Sequence, residues 1–452
     1  MIKTLELNNV GPSDHLEVEF GERLTVFTGD NGLGKSFILD VAWWMLTKNW
    51  SGEVATPPPQ KLDLSKHITK DLTITSPPTI TGTYQTWIPS PLSVNYEFQD
   101  LGQVWQLNEG ELSEEQKEKA EGFALASDSI ALYIKHNGDV SFYDPAKTRA
   151  YTALKERGEY ASEIVNSFFP VKNYSVSELW EGVKQGGSQE FNGLISDWGD
   201  WYREKDRHYD LLEAGIKHLS PINEPMRLGP LRRVKASDSR KFPTIVTSYD
   251  QEVPVIHTSA GVRKILSLLH ALVVAWTEHE EVCSQFKIKK AKNLILFVDE
   301  VDAHLHPQWQ RSIVKSLESV MHDILGNDEL ATQLIFTTHS PLLLASLEPI
   351  FDEEKDKLYT FDLHDGEVEL SESLWIRHGT SAAWLTSPAF GLGSDMSVEA
   401  EKAIKKAKLA VRNEVSEEEA KKIHTLLVNS LRPTDPFWAF WRSRAENFGW
   451  DL

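Results

Sequence analysis

The chain has 452 residues, of which 40% are hydrophobic and 25% charged, and this ordinary globular composition can supply a large core. Its formal net charge of −20 excludes electrostatic binding of nucleic acid by the protein surface as a whole, so nucleic-acid binding would need a local basic patch. The single cysteine, Cys283, excludes an internal disulfide and a multi-cysteine zinc site. The N-terminus has no apolar signal region, and the longest apolar run, Ile265 to Trp276, is too short to span a membrane. We therefore expect a cytoplasmic protein with no membrane partner.

A glycine-rich loop near the N-terminus is the strongest local signal. Short alternating runs over residues 2–28 predict two or three strands, the last at Leu24–Phe27, and a helix-like run begins at Phe37. The sequence GDNGLGKS, residues 29–36, lies between them. A strand, a glycine-rich turn and a helix N-terminus in this order form a Walker A phosphate loop, in which Lys35 reaches the phosphates and Ser36 binds Mg²⁺. The loop predicts that the chain binds a nucleoside triphosphate.

The segment after this loop is rich in β patterns. Alternating runs between residues 70 and 107 predict several strands, including Leu72–Thr75. Two further runs flank Asn137-Gly138, a dipeptide typical of a type I′ turn, and predict a hairpin. Between these segments, the Glu- and Lys-rich stretch 111–121 predicts a solvated helix without an assigned function.

The middle of the chain leaves alternatives open. Residues 150–220 have a helical pattern and predict either a mobile or partner-binding arm or an inserted helical subdomain that packs on itself. A basic cluster follows, which either contacts phosphates of a nucleotide or nucleic acid or belongs to a solvated loop. Its members are Arg227, Arg232, Arg233 and Lys235.

Two carboxylates and a histidine follow apolar strand-like runs in the C-terminal half. The run Leu294–Val298 ends at Asp299 and Glu300, and buried parallel strands have this pattern. Ligands bind at the carboxyl ends of such strands, so Asp299 fits a Walker B residue that holds Mg²⁺ and Glu300 a base that polarises water. A second run, Leu334–Phe336, leads to His339, which we interpret as a contact to the γ-phosphate.

Together these motifs resemble an ABC-type ATPase of the SMC/RecF branch. Residues 31–36 are similar to its N-G-x-G-K-S loop, His339 matches its switch histidine, and 258–263 resemble a degenerate L-S-G-G-Q-R signature. Residues 299–307 are similar to the D-E-x-x-x-H-L-H-P form of OLD-like and defence-associated bacterial ATPases. The resemblance implies an α/β, ABC-type P-loop ATPase head with an inserted helical subdomain and a C-terminal helical extension.

The resemblance also implies ATP and Mg²⁺ as cofactors, with Lys35, Glu300 and His339 as the catalytic residues and Ser36 and Asp299 as the metal ligands. Two heads would pair through bound ATP, because each signature would contact the nucleotide of the other head. The chain departs from the family pattern at Ala260, in place of a glycine, and at Phe37, where threonine is common. Gln85 and Gln99 are both candidates for the Q-loop glutamine. The implied nucleotide-contacting residues are Gly29, Asn31, Gly32, Gly34, Lys35, Ser36, Phe37, Ser259, Ala260 and Gly261.

The effector is expected to be another chain. The C-terminal region has no Asp-x-Asp pair of the kind that nuclease domains of OLD proteins contain. The arrangement is similar to ATPases of the Septu PtuA type, which are encoded beside an HNH nuclease, and DNA is a further candidate partner through a local basic patch. The aromatic residues near the C-terminus would dock that partner or pack back on the protein. They are Phe437, Trp438, Phe440 and Trp441.

These interpretations predict four parts. Residues 1–149 would form the N-terminal lobe, 150–225 a helical arm, 226–375 the C-terminal lobe, and 376–452 a helical docking extension. The favoured function is an ATP-hydrolysing switch of anti-phage defence. The alternatives are a RecF-like DNA repair or maintenance ATPase and, less favoured by the motif spacing, a transporter ATPase subunit.

Overall fold

The structure is a computed structural model that describes residues 1–51, 79–84, 92–99, 104–107, 128–158, 168–185, 187–221, 223–234, 236–325 and 330–451. Two compact units are found, Met1–Arg377 and His378–Leu452, and each is described by itself. The predicted strand at Leu72–Thr75 and the predicted helix at 111–121 lie outside the described residues.

The larger unit is built on an eight-stranded sheet. Its strands are β3 Leu24–Gly29, β7 Ser129–Ile134, β8 Val140–Tyr143, β9 Val171–Tyr174, β15 Asn293–Val298, β16 Ala331–Thr337, β17 Asp356–His364 and β18 Glu367–Glu372. They follow the order β18-β17-β3-β16-β15-β7-β8-β9, and the five strands from β17 to β7 are parallel. β3, β7 and β15 are buried along nearly their full length, as expected of parallel strands covered on both faces. The carboxyl ends of β3, β16, β15 and β7 therefore meet at one edge.

A second sheet contains five antiparallel strands in the order β2-β1-β4-β5-β6. These are β1 Ile2–Val10, β2 Ser13–Glu19, β4 Thr79–Tyr84, β5 Leu92–Gln99 and β6 Val104–Leu107. Helix α1, Lys35–Thr47, shares one hydrophobic core with both sheets. Its Trp43 ring lies 5.9 Å from Tyr133 and 6.1 Å from Phe297 of the large sheet, and Leu5 of β1 belongs to the same core. This packing fixes the helix that follows the glycine-rich loop.

Two local predictions in this unit are confirmed. Three strands, β1 to β3, precede the glycine-rich loop. β7 and β8 form an antiparallel hairpin around Asn137-Gly138, and Gly138 has a φ of 86°. The turn itself is not the predicted type I′, because Asn137 does not have positive φ; Gly138 N donates to Lys135 O at 2.9 Å, as in a type I turn followed by a left-handed glycine.

The segment predicted as a helical arm, 150–225, is mixed in structure. Its described residues contain strands as well as helices, and β9 pairs with β8 of the large sheet. The carboxylate of the buried Asp197 accepts a 2.8 Å hydrogen bond from Nε2 of His270. The backbone oxygen of Leu219 accepts a hydrogen bond from Nε1 of Trp309. The segment is thus packed into the unit, because its buried side chains find distant partners. Its other elements are α3 Val176–Glu181, β10 Val183–Gln185, β11 Ser188–Phe191, α4 Leu194–Glu204 and α5 Arg207–Leu219, after α2 Pro145–Glu156.

A long helix, α6 Ala260–Phe286, runs through the larger unit. By length and composition alone it could cross a membrane, but 83% of its most apolar window is buried inside the protein, as in a core helix. The elements around it are β12 Arg227–Arg233, β13 Lys241–Val246, β14 Glu252–Pro254, a 3₁₀ turn at Val255–His257, α7 Pro307–Gln310, α8 Ile313–Leu325 and α9 Pro341–Leu347.

The smaller unit is helical, and the helix pair predicted there is confirmed. Its helices are α10 Ser381–Leu385, α11 Val398–Asn413, α12 Glu417–Ser430 and α13 Phe437–Phe448. Of the two alternatives for the aromatic residues, docking a partner or packing on the protein, Trp438 and Trp441 follow the second, because they belong to the core of this unit. Trp441 Nε1 donates to His424 Nδ1 at 3.1 Å, and Trp438 Nε1 donates to Arg432 O at 2.8 Å. Helical spacing turns these two residues inward, whereas Phe440 remains 37% exposed.

Candidate functional site

The predicted phosphate loop has the expected strand, turn and helix. β3 ends at Gly29, α1 begins at Lys35, and the three loop glycines have φ values of 118°, 78° and 105°. Gly34 also has no room for a side chain, because a Cβ there would lie 2.7 Å from Pro12 Cγ and overlap with it. The loop can therefore bring backbone N–H groups close to an anion at the N-terminus of α1.

Lys35 is buried beneath this loop. It is 6% exposed, and its Nζ donates to Gly29 O at 3.1 Å and to Asp30 O. Burial lowers the pKa of Lys35, while the charges of Asp30, Asp299 and Glu300 oppose that effect. The loop lysine and the two predicted Walker B carboxylates thus share one electrostatic environment.

The next two loop residues have different surroundings. Ser36 stands half-buried in the first turn of α1. The ring of Phe37 packs so closely against Gly11 that a Cβ there would overlap with it. Any contact of Phe37 with a nucleotide would therefore come from its backbone N–H. Asn31 is exposed on the loop.

Asp299 lies buried at the end of β15. Its Oδ1 accepts a 2.7 Å hydrogen bond from Thr337 Oγ1, at the end of the neighbouring strand β16. Its Oδ2 makes no hydrogen bond within the described residues and lies 3.3 Å from Nδ1 of His136, which follows β7. Three adjacent strand ends thus bring polar groups to one point.

Thr337 also fixes the second carboxylate residue. The N–H of Glu300 donates to Thr337 Oγ1 at 2.6 Å, so one hydroxyl contacts both acidic residues. Thr337 is not among the residues singled out from the sequence. Its position beside Asp299 could have been inferred only from the parallel pairing of β15 with β16.

His339 is held beside the same carboxylates. The backbone N–H of His339 donates to Asp302 Oδ1 at 3.3 Å, and the same oxygen accepts a hydrogen bond from Thr338 Oγ1. Burial lowers the pKa of His339 and the nearby charge of Lys35 lowers it further, while the acidic residues oppose the shift. The imidazole is therefore mainly neutral at pH 7. Asp302 is a second contributor that sequence reasoning missed.

The predicted signature stands at the start of α6. Ser259 caps the helix, with its Oγ accepting from Val262 N at 3.3 Å, and both Ser259 and Ala260 are exposed. Gly261 is buried, and a Cβ there would lie 2.6 Å from His304 O. The helix start therefore presents Ser259 and Ala260 to solvent while Gly261 packs on the loop after Glu300.

The structure does not place the Q-loop candidates or the basic cluster among the residues of this site. Gln85 lies outside the described residues, and Gln99 lies in β5, so the Q-loop glutamine stays a prediction. The arginines of the basic cluster are engaged at the protein surface: Arg227 with Asp250, Arg232 with Glu252, and Arg233 with backbone oxygens of residues 236 and 238. Lys235 lies outside the described residues.

The parallel sheet, the glycine-rich loop and the polar strand ends define the class: an α/β P-loop ATPase head of the ABC type, as the sequence predicted. A family profile described as "AAA domain, putative AbiEii toxin, Type IV TA system" matches residues 106–345, more than half of the chain. A second profile, "AAA domain", matches residues 4–76. The chain belongs to the first of these families.

Named relatives come from bacterial systems. "Retron Vc95 probable ATPase" from Vibrio cholerae serotype O1 biovar El Tor is 29% identical over 236 residues, covering 49% of this chain and 42% of that protein. "Septu protein PtuA" from Bacillus thuringiensis is 23% identical over 344 residues, covering 75% and 72% respectively. The chain thus spans less than half of the first relative's length. The predicted relationship to defence ATPases is confirmed.

Among solved structures, the "SMC head domain from Thermotoga maritima" superposes with a TM-score of 0.40 at 15% identity, covering 83% of this chain and 99% of that one. Because this TM-score is low, the fold is assigned from the sheet order and the site and not from the superposition.

Proposed function

We propose that the chain is a cytoplasmic, Mg²⁺-dependent ATPase that works as a dimeric switch in bacterial anti-phage defence and regulates or loads a separate nuclease. The observation that carries this proposal is the convergence of Lys35, Asp299, Glu300 and His339 at one sheet edge behind a glycine-rich loop. The relationship to Septu PtuA over 75% of the chain supplies the defence context.

The residues present fit a magnesium ion. Asp299 Oδ2 is buried, makes no hydrogen bond in the described part of the chain and has His136 Nδ1 3.3 Å away, so a bound cation would help to satisfy it. Asp299 and the Ser36 hydroxyl would hold Mg²⁺, which when bound would neutralise charge on the triphosphate. Oxygen ligands of this kind are what Mg²⁺ prefers.

The protein's own residues divide the remaining work. Lys35 would bind the β- and γ-phosphates, and Glu300 would accept the proton of the attacking water. Thr337 holds the backbone of Glu300, so the base is oriented before substrate binds. A neutral His339 would donate one hydrogen bond to the γ-phosphate without adding charge.

The exposed signature end of α6 suits contact with a second copy. Ser259 and the N–H groups at Ala260 and Gly261 stand at a helix N-terminus, where an anion is favoured. In a head-to-tail dimer each of these ends would meet the γ-phosphate held by the other head. Hydrolysis would remove part of that shared charge and loosen the dimer.

We place the nuclease activity in another protein, with an HNH nuclease as the candidate. Within the described residues there is no group of three or more His, Cys, Asp or Glu side chains that could hold a metal ion. Docking through the smaller unit would now involve Phe440, the partly exposed member of the aromatic set, because Trp438 and Trp441 are core residues. DNA remains a candidate partner.

Replacing Glu300 by glutamine tests the ATPase proposal. Glu300→Gln keeps the side-chain shape but removes the base, so hydrolysis should fall at least about a hundredfold while ATP affinity changes little. The variant should accumulate as ATP-bound dimers on a sizing column. Glu281→Gln, on the exposed surface of α6, is the matched control and should behave as wild type. Undiminished turnover in Glu300→Gln, or wild-type protein without Mg²⁺-dependent hydrolysis, would refute the assignment.

A pull-down with the product of the neighbouring gene tests the effector proposal. Alone, the chain should hydrolyse ATP but leave plasmid and RNA uncut with Mg²⁺ or Mn²⁺. Phe440→Ala should weaken copurification without changing the melting temperature. Metal-dependent cleavage by the pure chain would contradict a separate effector.

A further inference from the structure

The turn after the predicted Walker B strand contains two residues in an unfavourable backbone conformation. Glu300 and His304 have φ values of 49° and 64°, in the left-handed region that non-glycine residues rarely adopt. Such residues persist only where surrounding contacts hold them, and they concentrate at functional sites.

Both strained residues are contacted at their carbonyl oxygens by the start of α6. Lys264 Nζ donates to Glu300 O at 2.5 Å, across 36 positions of sequence. One turn earlier on the same helix, Gly261 packs so closely on His304 O that a Cβ would come within 2.6 Å of it. The beginning of α6 therefore holds the 300–304 turn at two points.

Lys264 is suited to this contact. Burial lowers its pKa to about 8, against the opposing charges of Asp302, Glu300 and Asp299, so the ammonium is mainly protonated at neutral pH and donates a charge-assisted hydrogen bond. Its other end is anchored in α6, five residues after Ser259. One side chain thus connects the exposed signature to the backbone of the predicted base.

We propose that Lys264 is a positioning residue for Glu300: it couples the signature end of α6 to the orientation of the base within the same chain. This inference rests on the proposed ATPase function. When the partner's nucleotide engages Ser259 and Ala260, a shift of α6 reaches Glu300 through the Lys264 hydrogen bond and the Gly261–His304 contact. Turnover thereby depends on dimerisation through a defined contact in cis.

The variant Lys264→Met tests the proposal, because it keeps the length of the side chain and removes its donor. The turnover number should fall about tenfold or more, since small displacements of a catalytic group have effects of this size. Affinity for a fluorescent ATP analogue should stay within about twofold. Lys264→Arg, which keeps a cationic donor, should restore part of the turnover. Lys147→Met is the matched control: this half-buried lysine pairs with Glu278 of α6 at 2.9 Å, and its loss should leave turnover unchanged.

A double-mutant cycle separates positioning from a general effect on folding. In the Glu300→Gln background, single-turnover hydrolysis should be insensitive to Lys264→Met, because the group that Lys264 positions is already gone. Equal losses in both backgrounds would overturn the proposal.

Hydrogen exchange of the amides in residues 299–306 supplies a second readout, which does not depend on catalysis. Exchange there should increase in Lys264→Met and stay unchanged in Lys147→Met. Active wild-type protein with normal turnover in Lys264→Met would refute the positioning role alone, whereas inactive wild-type protein would refute the ATPase function itself.

Discussion

The two halves of the candidate site differ in how they are held. The Walker A and B half is buried: Lys35, Asp299 and Thr337 are at most 6% exposed, with Lys35 at the start of α1 and the other two at the ends of parallel strands. The signature half, at Ser259 and Ala260, is exposed at a helix start and uses its side-chain hydroxyl to cap its own helix. One chain therefore preorganises the first half by itself, whereas in the proposed dimer the second half would be completed by another molecule.

The largest effect is expected in the buried half, from Lys35→Ala. Losing a charge-assisted contact to phosphate costs about 3 kcal/mol, which corresponds to a decrease in ATP affinity of about a hundredfold. Titration with a fluorescent ATP analogue measures this. Lys3→Ala, which removes a partly exposed lysine paired with Glu22, should bind like wild type. Equal affinities of the two variants would mean that the loop is not the phosphate site.

In the exposed half, Ser259→Arg should block dimerisation and hydrolysis but leave the monomer's ATP affinity unchanged, because Ser259 lies outside the buried half. Mixing Ser259→Arg with Lys35→Ala protein makes the comparison decisive. A head-to-tail pair of these variants keeps one intact composite site, so up to about half of the activity per mixed dimer should return. Mixed dimers that form without any recovery would contradict the shared site.

A smaller effect is expected from Thr337→Val, which keeps the side-chain shape and removes the hydroxyl between Asp299 and Glu300. Hydrolysis should fall about tenfold, as is typical when a partner that orients a metal ligand is lost. Thr360→Val makes the same change in β17 of the same sheet, where the hydroxyl contacts Ser373, and serves as the control. If both variants retain full activity, the Thr337 hydrogen bonds are not needed for positioning.

The smallest effect on nucleotide binding is expected outside both halves, from Trp441→Ala. This fully buried side chain should cost the smaller unit about 3 kcal/mol or more when truncated. Thermal unfolding should show a destabilised transition, while titration should give wild-type ATP affinity. A large decrease in ATP affinity would show that a region outside both halves of the site also contributes to nucleotide binding.

Much of the buried half was predictable because its signals are local in sequence. The glycine-rich loop needs positive φ at three closely spaced positions, and the apolar run before Asp299 marks a buried parallel strand. His339 could be placed at a second strand end by the same reasoning. The hairpin at Asn137-Gly138 follows from turn chemistry alone. In each case a few consecutive residues contain the whole physical constraint.

The amino-acid sequence by itself thus determined the class of fold, the glycine-rich loop, the carboxylate pair after a buried strand and the place of the signature-like segment before a helix. Only the tertiary structure decided which side chains meet across strands and helices: Thr337 with both acidic residues, and Lys264 with Glu300 O. It also decided that Trp438 and Trp441 are core and not docking residues. The physical reason is the same throughout. Hydrogen bonds and burial depend on groups brought together from distant positions, and a single sequence contains no local trace of such pairs.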